Sequence, residues 1–182
     1  FVLNGIKSIV SNGPHADFAI LFAMTMGAGG PAGVTAFLID ASQPGYDNSR
    51  GHTCMGFTGF QGELALTDVR LGSDAVLGEV GGGFALALDW INVNRIRTAA
   101  MATGIARRAL ARSAAYSLQR SQFGAPIASF QAIQLKLADM ATELYAAESM
   151  VERSAAMKDR GEDIRKASAM TKLYASEMVN RH

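Results

Sequence analysis

The chain has 182 residues, 49% of them hydrophobic, with seventeen Lys and Arg against sixteen Asp and Glu. That length suits one substantial core or two small ones, and the near balance of charge leaves no basic footprint for nucleic acid. Cys54 is the single cysteine, which excludes an internal disulfide, argues against a structural zinc site and favours a reducing compartment. No apolar run approaches the roughly 20 residues that cross a bilayer. The opening FVLNGIK has neither an initiator methionine nor a basic leader, so the chain is expected to begin in mid-protein.

Up to residue 76, FVLNGIKSIVSN, DFAILFAMT, GVTAFLID and GELALTDVRL are short apolar or alternating runs separated by Gly, Pro, Asn and Asp. This is the pattern of β-strands joined by turns. No helical segment lies between them, so the strands are predicted to pair antiparallel, in a barrel or sandwich rather than in βαβ units. GEVGGGF, residues 78–84, follows. It lacks the preceding strand, the GxGxxG spacing and the Lys-Ser/Thr pair of a phosphate loop, and it reads as a flexible turn feeding Phe84 into a helix.

Beyond it alanine, leucine and methionine dominate, broken at two polar bends, and three helices are predicted at roughly 84–119, 129–159 and 163–182. In the second, Phe130, Ile133, Leu137, Met140, Leu144, Ala147 and Val151 alternate steps of three and four, one face of an α-helix. Ser129 stands where a side chain caps the start. KDRGED around Gly161 ends this helix, and the third places Ile164, Ala167, Met170 and Tyr174 on one side. The expected organisation is a β-domain over 1–76 and a helical half over 77–182, an up-down bundle left incomplete at three helices with an apolar stripe uncovered. His15, His52 and His182 stand apart from one another and from plausible ligands, so no metal centre is expected. The nine methionines fall mostly at core spacing.

The bend YSLQRSQFGAPIASFQAIQ, residues 116–134, breaks the helical pattern and resumes it. Such a bend sets the N-terminus of the next helix, with its unpaired N–H groups, beside the loop. Arg120 offers a planar fork for phosphate oxygens. Phe123 offers a flat face for an adenine, Gly124 a flexible approach, and Gln131 an amide that donates and accepts. Together they suit an ADP-like group. The same residues also fit plain structural roles, with Arg120 solvated, Phe123 filling the end of the bundle and Gln131 capping the helix.

The run R-x-x-F-G-x-P-I-x-x-F-Q from Arg120 to Gln131 resembles the C-terminal helical domain of acyl-CoA dehydrogenases. LNGIKSIVSNG resembles that family's strand leading to the flavin, GVTAFLID and ELALTDVRL its middle β-domain, and VLGEVGGGF the approach to its first bundle helix. Asn94-Arg95, with Gly104 nine residues beyond the arginine, and LADM at 137–140 follow in the same order. The resemblance spans nearly the whole chain. It implies the middle β-domain and three bundle helices, with the N-terminal helical domain and the last bundle helices absent.

Residue by residue, the resemblance implies that Arg120, Phe123 and Gln131 hold the diphosphate and adenine end of FAD across a subunit interface. Ser11 stands where a hydroxyl approaches the flavin N5, and Ile9 where many members place a tryptophan behind the ring. Ser11 also reads as a turn-capping serine before Asn12-Gly13. The family removes an α-proton from an acyl-CoA thioester with a glutamate while a hydride passes from the β-carbon to the flavin. That glutamate is expected beyond His182. In some members it directly precedes the arginine, a position held here by Asn94, which is no base. Arg95 matches the arginine that keeps the base ionised, and Asn92, Asn94 and Arg95 are the residues expected near the substrate. An arginine on a helix surface is the plain alternative for Arg95. Implied partners are electron-transferring flavoprotein and further copies of the chain, as a homodimer or homotetramer. The implied role is in fatty acid metabolism, in a bacterial cytoplasm or a mitochondrial matrix. An acyl-CoA oxidase or flavin monooxygenase of the same fold, and a non-catalytic helical assembly module, are the alternatives.

Overall fold

The four apolar runs are strands, and a fifth strand with no such signal joins them. In the computed structural model, which describes residues 1–27, 30–55 and 57–182, the strands are β1 (Val2–Ser11), β2 (Phe18–Gly27), β3 (Gly30–Asp40), β4 (Tyr46–Cys54) and β5 (Phe57–Arg70). They form two antiparallel sheets, ordered β1-β5-β4 and β2-β3. Among the described residues neither sheet closes into a barrel. The unread strand is β4, YDNSRGHTC, which has no buried residue. It is an edge strand, held by backbone pairing to β5, so no apolar alternation is required of it. Inner faces of the two sheets meet over Leu3, Leu21, Phe37, Ile39, Leu66, Val69 and Leu71, which is a sandwich core.

The segment after β5 runs back along β3. Val76 bridges to Phe37 and Gly82 to Val34, and the Leu77 N–H donates to the Ala36 carbonyl at 2.9 Å. The Gly81 N–H donates at 2.8 Å to the hydroxyl of buried Thr35, which accepts a second hydrogen bond from Thr25 at 2.7 Å. A Cβ on Gly83 would lie 2.6 Å from the Ala36 nitrogen, so only glycine admits this close approach. The glycine run is thus the expected turn into the helix, closed by the Gly82 N–H on the Glu79 carbonyl at 3.0 Å, and it also packs against β3.

Two units are compact in themselves, Phe1–Leu88 and Asp89–His182. The helices are α1 (Gly83–Gln119), α2 (Gln131–Asp159) and α3 (Arg165–Arg181). Asp89 pairs with Lys158 at 3.4 Å and Arg107 with Glu148 at 2.6 Å, so α1 and α2 run antiparallel. The Glu143–Arg181 pair at 3.0 Å and the buried Ser154–Thr171 hydroxyl pair at 2.8 Å order α2 and α3 in the same way. Exposed ion pairs contribute about 0–1 kcal/mol each. Cohesion comes instead from Ala99, Ala102, Ala106, Leu144, Ala147, Ala175 and Met178, whose small members let the helices approach closely.

The third helix departs from expectation. Its buried residues are Ser168, Thr171, Ala175 and Met178, with Ile164 buried just before it, while Met170 is 48% exposed. Apolar spacing misplaced the face because Thr171 satisfies its hydroxyl against Ser154, and Ser168 donates to the Arg165 carbonyl at 3.2 Å. A paired hydroxyl is no longer costly to bury. Gly161, at φ 73°, follows the end of α2. Val93, Met101 and Ile105 of α1, Leu135 and Tyr145 of α2, and Leu173 of α3 are exposed apolar side chains of the second unit. Among the described residues no helix is long and apolar enough to cross a membrane.

Candidate functional site

The bend after α1 is a miniature hairpin. Arg120 N–H closes the helix on the Tyr116 carbonyl at 2.9 Å, and the Ile127 N–H returns to the Arg120 carbonyl at 2.8 Å. Between them β6 (Ser121–Gln122) pairs with β7 (Ala125–Pro126). The two loop residues, Phe123 at φ 52° and Gly124 at φ 82°, have the positive φ at both central positions that a two-residue I′ loop requires. A left-handed phenylalanine is uncommon. Here it turns the ring outward, 96% exposed, and among the described residues its one aromatic contact is edge-on to Phe130 at 6.2 Å and 79°.

Arg120, three residues before Phe123, is exposed and forms no ion pair among the described residues. Gln131, also exposed, is the first residue of α2. The structure thus brings Arg120, Phe123 and Gln131 to one bend. A free guanidinium, an uncovered aromatic face and the N-terminus of a 29-residue helix are a donor set that fits a diphosphate carrying a flat base.

A second group lies on α1. Asn92 is 8% exposed, and its Oδ1 accepts a hydrogen bond from Arg95 Nη1 at 3.1 Å. Asn94 Oδ1 is buried with no donor among the described residues. Two glutamates of α2 are engaged elsewhere. Glu143 accepts from Arg181, and lies 3.0 Å from the buried ring of His182. The Arg181 hydrogen bond holds its carboxyl below the usual carboxylate range against the opposing effect of burial, with a lesser lowering from the His182 hydrogen bond. Glu148 is paired with Arg107.

Ile9 and Ser11 form the third group, at the end of β1. Ile9 sits in an irregularity of register between Lys7 and Val10. Its φ is 56°, and its side chain is 67% exposed. A β-branched residue in left-handed backbone is a strained arrangement of the kind that clusters at functional sites. Ser11, exposed, faces Gln61 across the sheet. A cleft of about 480 Å³ between β1 and β2, lined by Leu3, Ile6, Lys7, Leu21 and Met24 among others, includes neither residue.

With these groups in view, residues 1–69 match the family described as acyl-CoA dehydrogenase, middle domain, and residues 81–182 match acyl-CoA dehydrogenase, C-terminal domain. The chain belongs to the acyl-CoA dehydrogenase family. The short-chain specific acyl-CoA dehydrogenase of Megasphaera elsdenii is 40% identical over 100% of this chain and 48% of its own length. The solved butyryl-CoA dehydrogenase of the same organism superposes with a TM-score of 0.92 at 38% identity, covering 99% of this chain and 47% of that one. A structure described as PigA with FAD and proline gives 0.90 at 28% identity, over 98% and 47%. The chain therefore spans about half the length of the relatives it matches.

Five sequence readings are corrected in this family member. Ser129 does not cap α2: its hydroxyl donates to the Pro126 carbonyl at 2.7 Å. Phe130 occupies the cap position without a side-chain bond, so Gln131 does not cap the helix either. Phe123 does not fill the end of the bundle. His182, read as isolated, is buried against Glu143, although among the described residues no group of three or more His, Cys, Asp or Glu is arranged to hold a metal. Ser11 is followed by Asn12, itself the left-handed cap residue of the short helical turn Gly13–His15, and so it does not cap that turn. The partner that sequence reasoning missed is Phe130. Its phase within the α2 stripe assigned it to the core, and only the left-handed loop brings it to Phe123.

Proposed function

We propose that in the complete protein this chain serves FAD-dependent α,β-dehydrogenation of an acyl-CoA thioester. The observation that carries the reading is the bend, where Arg120, without an ion pair among the described residues, and an uncovered Phe123 ring share one hairpin. The FAD in the PigA structure and the dehydrogenase relatives support it. The β-domain, taken as residues 1–76, contributes Ile9 and Ser11 at the ring end of one flavin. Arg120, Phe123 and Gln131, from the helical half over 77–182, hold the diphosphate and adenine of a flavin bound by a partner subunit. When bound, FAD supplies the acceptor for the hydride that leaves the β-carbon.

The chain's own residues prepare the proton transfer. Asn92, Asn94 and Arg95 are not bases; Arg95 keeps a neighbouring carboxylate charged, and that carboxylate comes from another segment of the complete protein. Electron-transferring flavoprotein is the proposed electron acceptor. The setting is a bacterial cytoplasm or a mitochondrial matrix, in keeping with the lone Cys54.

In the complete protein Arg120→Ala is expected to weaken FAD binding by about 1.5–3 kcal/mol, the worth of a charge-assisted hydrogen bond. That is roughly a tenfold or greater rise in Kd. Thermal stability of the flavin-saturated form should barely move, because Arg120 is solvent-exposed. Flavin titration of the apoprotein decides the matter, and an unchanged Kd removes the bend from the cofactor site. A site completed by a neighbour also requires a homodimer or homotetramer. Light scattering that finds an active, flavin-loaded monomer contradicts the role of the bend in trans.

A further inference from the structure

We propose that Asn92 is a positioning residue, one that fixes the Arg95 guanidinium while leaving its charge intact. The inference rests on the reading of Arg95 as the cation beside the catalytic carboxylate. The two residues stand at i and i+3 on α1, so they share a face of the helix. Asn92 is 8% exposed and offers its Oδ1 to Arg95 Nη1 at 3.1 Å. Burial gives the acceptor one fixed place, and a long side chain that would otherwise sample many rotamers is tethered to it.

The chemistry of the acceptor matters as much as its position. A guanidinium carries five N–H donors, and Asn92 takes one without adding charge. A carboxylate in the same place would form an ion pair and offset the field that Arg95 projects. Among the described residues Arg95 has no ion pair: Asp89 on the same helix is taken by Lys158, on the facing helix Glu148 is taken by Arg107 and Glu143 by Arg181, and Glu152, itself without an ion pair, lies against Ala100, Thr103 and Gly104 further along α1. The cation is thus held at one end and free at the other. Asn94, one residue before Arg95, adds a buried Oδ1 still lacking a donor, so this turn of α1 presents unmet polar groups of both signs.

The test uses the complete, FAD-loaded protein and four forms: wild type, Arg95→Ala, Asn92→Asp and Asn92→Ser. The pH profile of kcat/KM with a short acyl-CoA is measured, together with calorimetric affinity for a non-oxidisable thioether analogue and thermal unfolding. An arginine beside a carboxylate lowers the pKa of that carboxylate, so losing or neutralising the cation raises it. The acid limb of the profile is expected to move to higher pH by about one unit in Arg95→Ala and in the near-isosteric Asn92→Asp. Asn92→Ser keeps a neutral acceptor too short to reach. It should leave the limb in place while lowering kcat/KM several-fold, with unchanged unfolding temperature.

An unmoved limb in Arg95→Ala refutes the reading of Arg95 itself, and the inference with it. A limb that moves in Arg95→Ala but not in Asn92→Asp refutes only the role of Asn92. If Asn92→Asp does not fold, Asn92→Ser decides. Wild-type kcat/KM and analogue affinity in that variant would overturn the proposal.

Discussion

Residues 1–182 produced alone, with excess FAD and an artificial electron acceptor, are expected to oxidise no acyl-CoA thioester at a measurable rate. Removing an α-proton beside a thioester needs a carboxylate that is both basic and free. Glu143 is neither, because the Arg181 and His182 contacts hold it below the usual carboxylate range and occupy both of its oxygens. Glu148 is tied to Arg107 at 2.6 Å, and Glu63 to Arg50 at 2.9 Å. On α1 the residues beside Arg95 are amides. General acid–base catalysis is worth roughly 10²–10⁴ in rate, and incomplete flavin binding compounds its loss. A panel of short, medium and branched thioesters, assayed against the complete protein, makes the comparison. Turnover within about tenfold of the complete protein, abolished by Glu143→Gln, would place the base on α2 and overturn the assignment.

Phe37→Ala should destabilise the β unit by about 3–5 kcal/mol, in the range for deleting a large buried side chain. Phe37 is 2% exposed at the centre of the sandwich. It meets the Phe1 ring edge-on at 5.1 Å, and its strand pairs it with Leu21. It also lines the cleft between β1 and β2, so the void left by the ring would open toward solvent. The control is Leu38→Ala, one residue along β3 and on the opposite, exposed face, which should cost under about 1 kcal/mol. Urea unfolding of the two variants gives the comparison. Equal shifts in midpoint would mean that the inner face of β3 has been assigned wrongly.

What could be read from the residues followed from how each element is stabilised. Helix α2 announces itself because burial of an apolar stripe repeats every three or four residues, and α1 through its run of alanine, leucine and methionine; the bounds found, Gly83–Gln119 and Gln131–Asp159, lie close to those expected. The strands β1, β2, β3 and β5 were visible as apolar runs between turn residues. β4 was not, because an edge strand is stabilised by backbone pairing that leaves no trace in side-chain polarity. The α3 face was misjudged for a related reason: Ser154 and Thr171 hide their polarity in one another, and a hydropathy pattern cannot see a pair formed across two helices.

The candidate site divides along the same line. The Arg120 and Phe-Gly signal is local in sequence, and its outward ring follows from a two-residue loop. By contrast Phe130 against Phe123, His182 against Glu143 and the left-handed Ile9 arise from tertiary placement. The Asn92–Arg95 contact was accessible from i, i+3 spacing alone, yet nothing in the spacing reveals that Asn92 is buried.

The left-handed Phe123 also bears on kinetics. Its ring is aimed into solvent by a hairpin whose ends are tied by the Ile127 to Arg120 backbone hydrogen bond, so the conformational entropy of presenting it is lost when the chain folds. A flat ligand arriving at the bend meets a stacking surface already in place. Capture then needs no loop search, its rate is governed by diffusion and by attraction to Arg120, and tightening of affinity falls mainly on the dissociation rate.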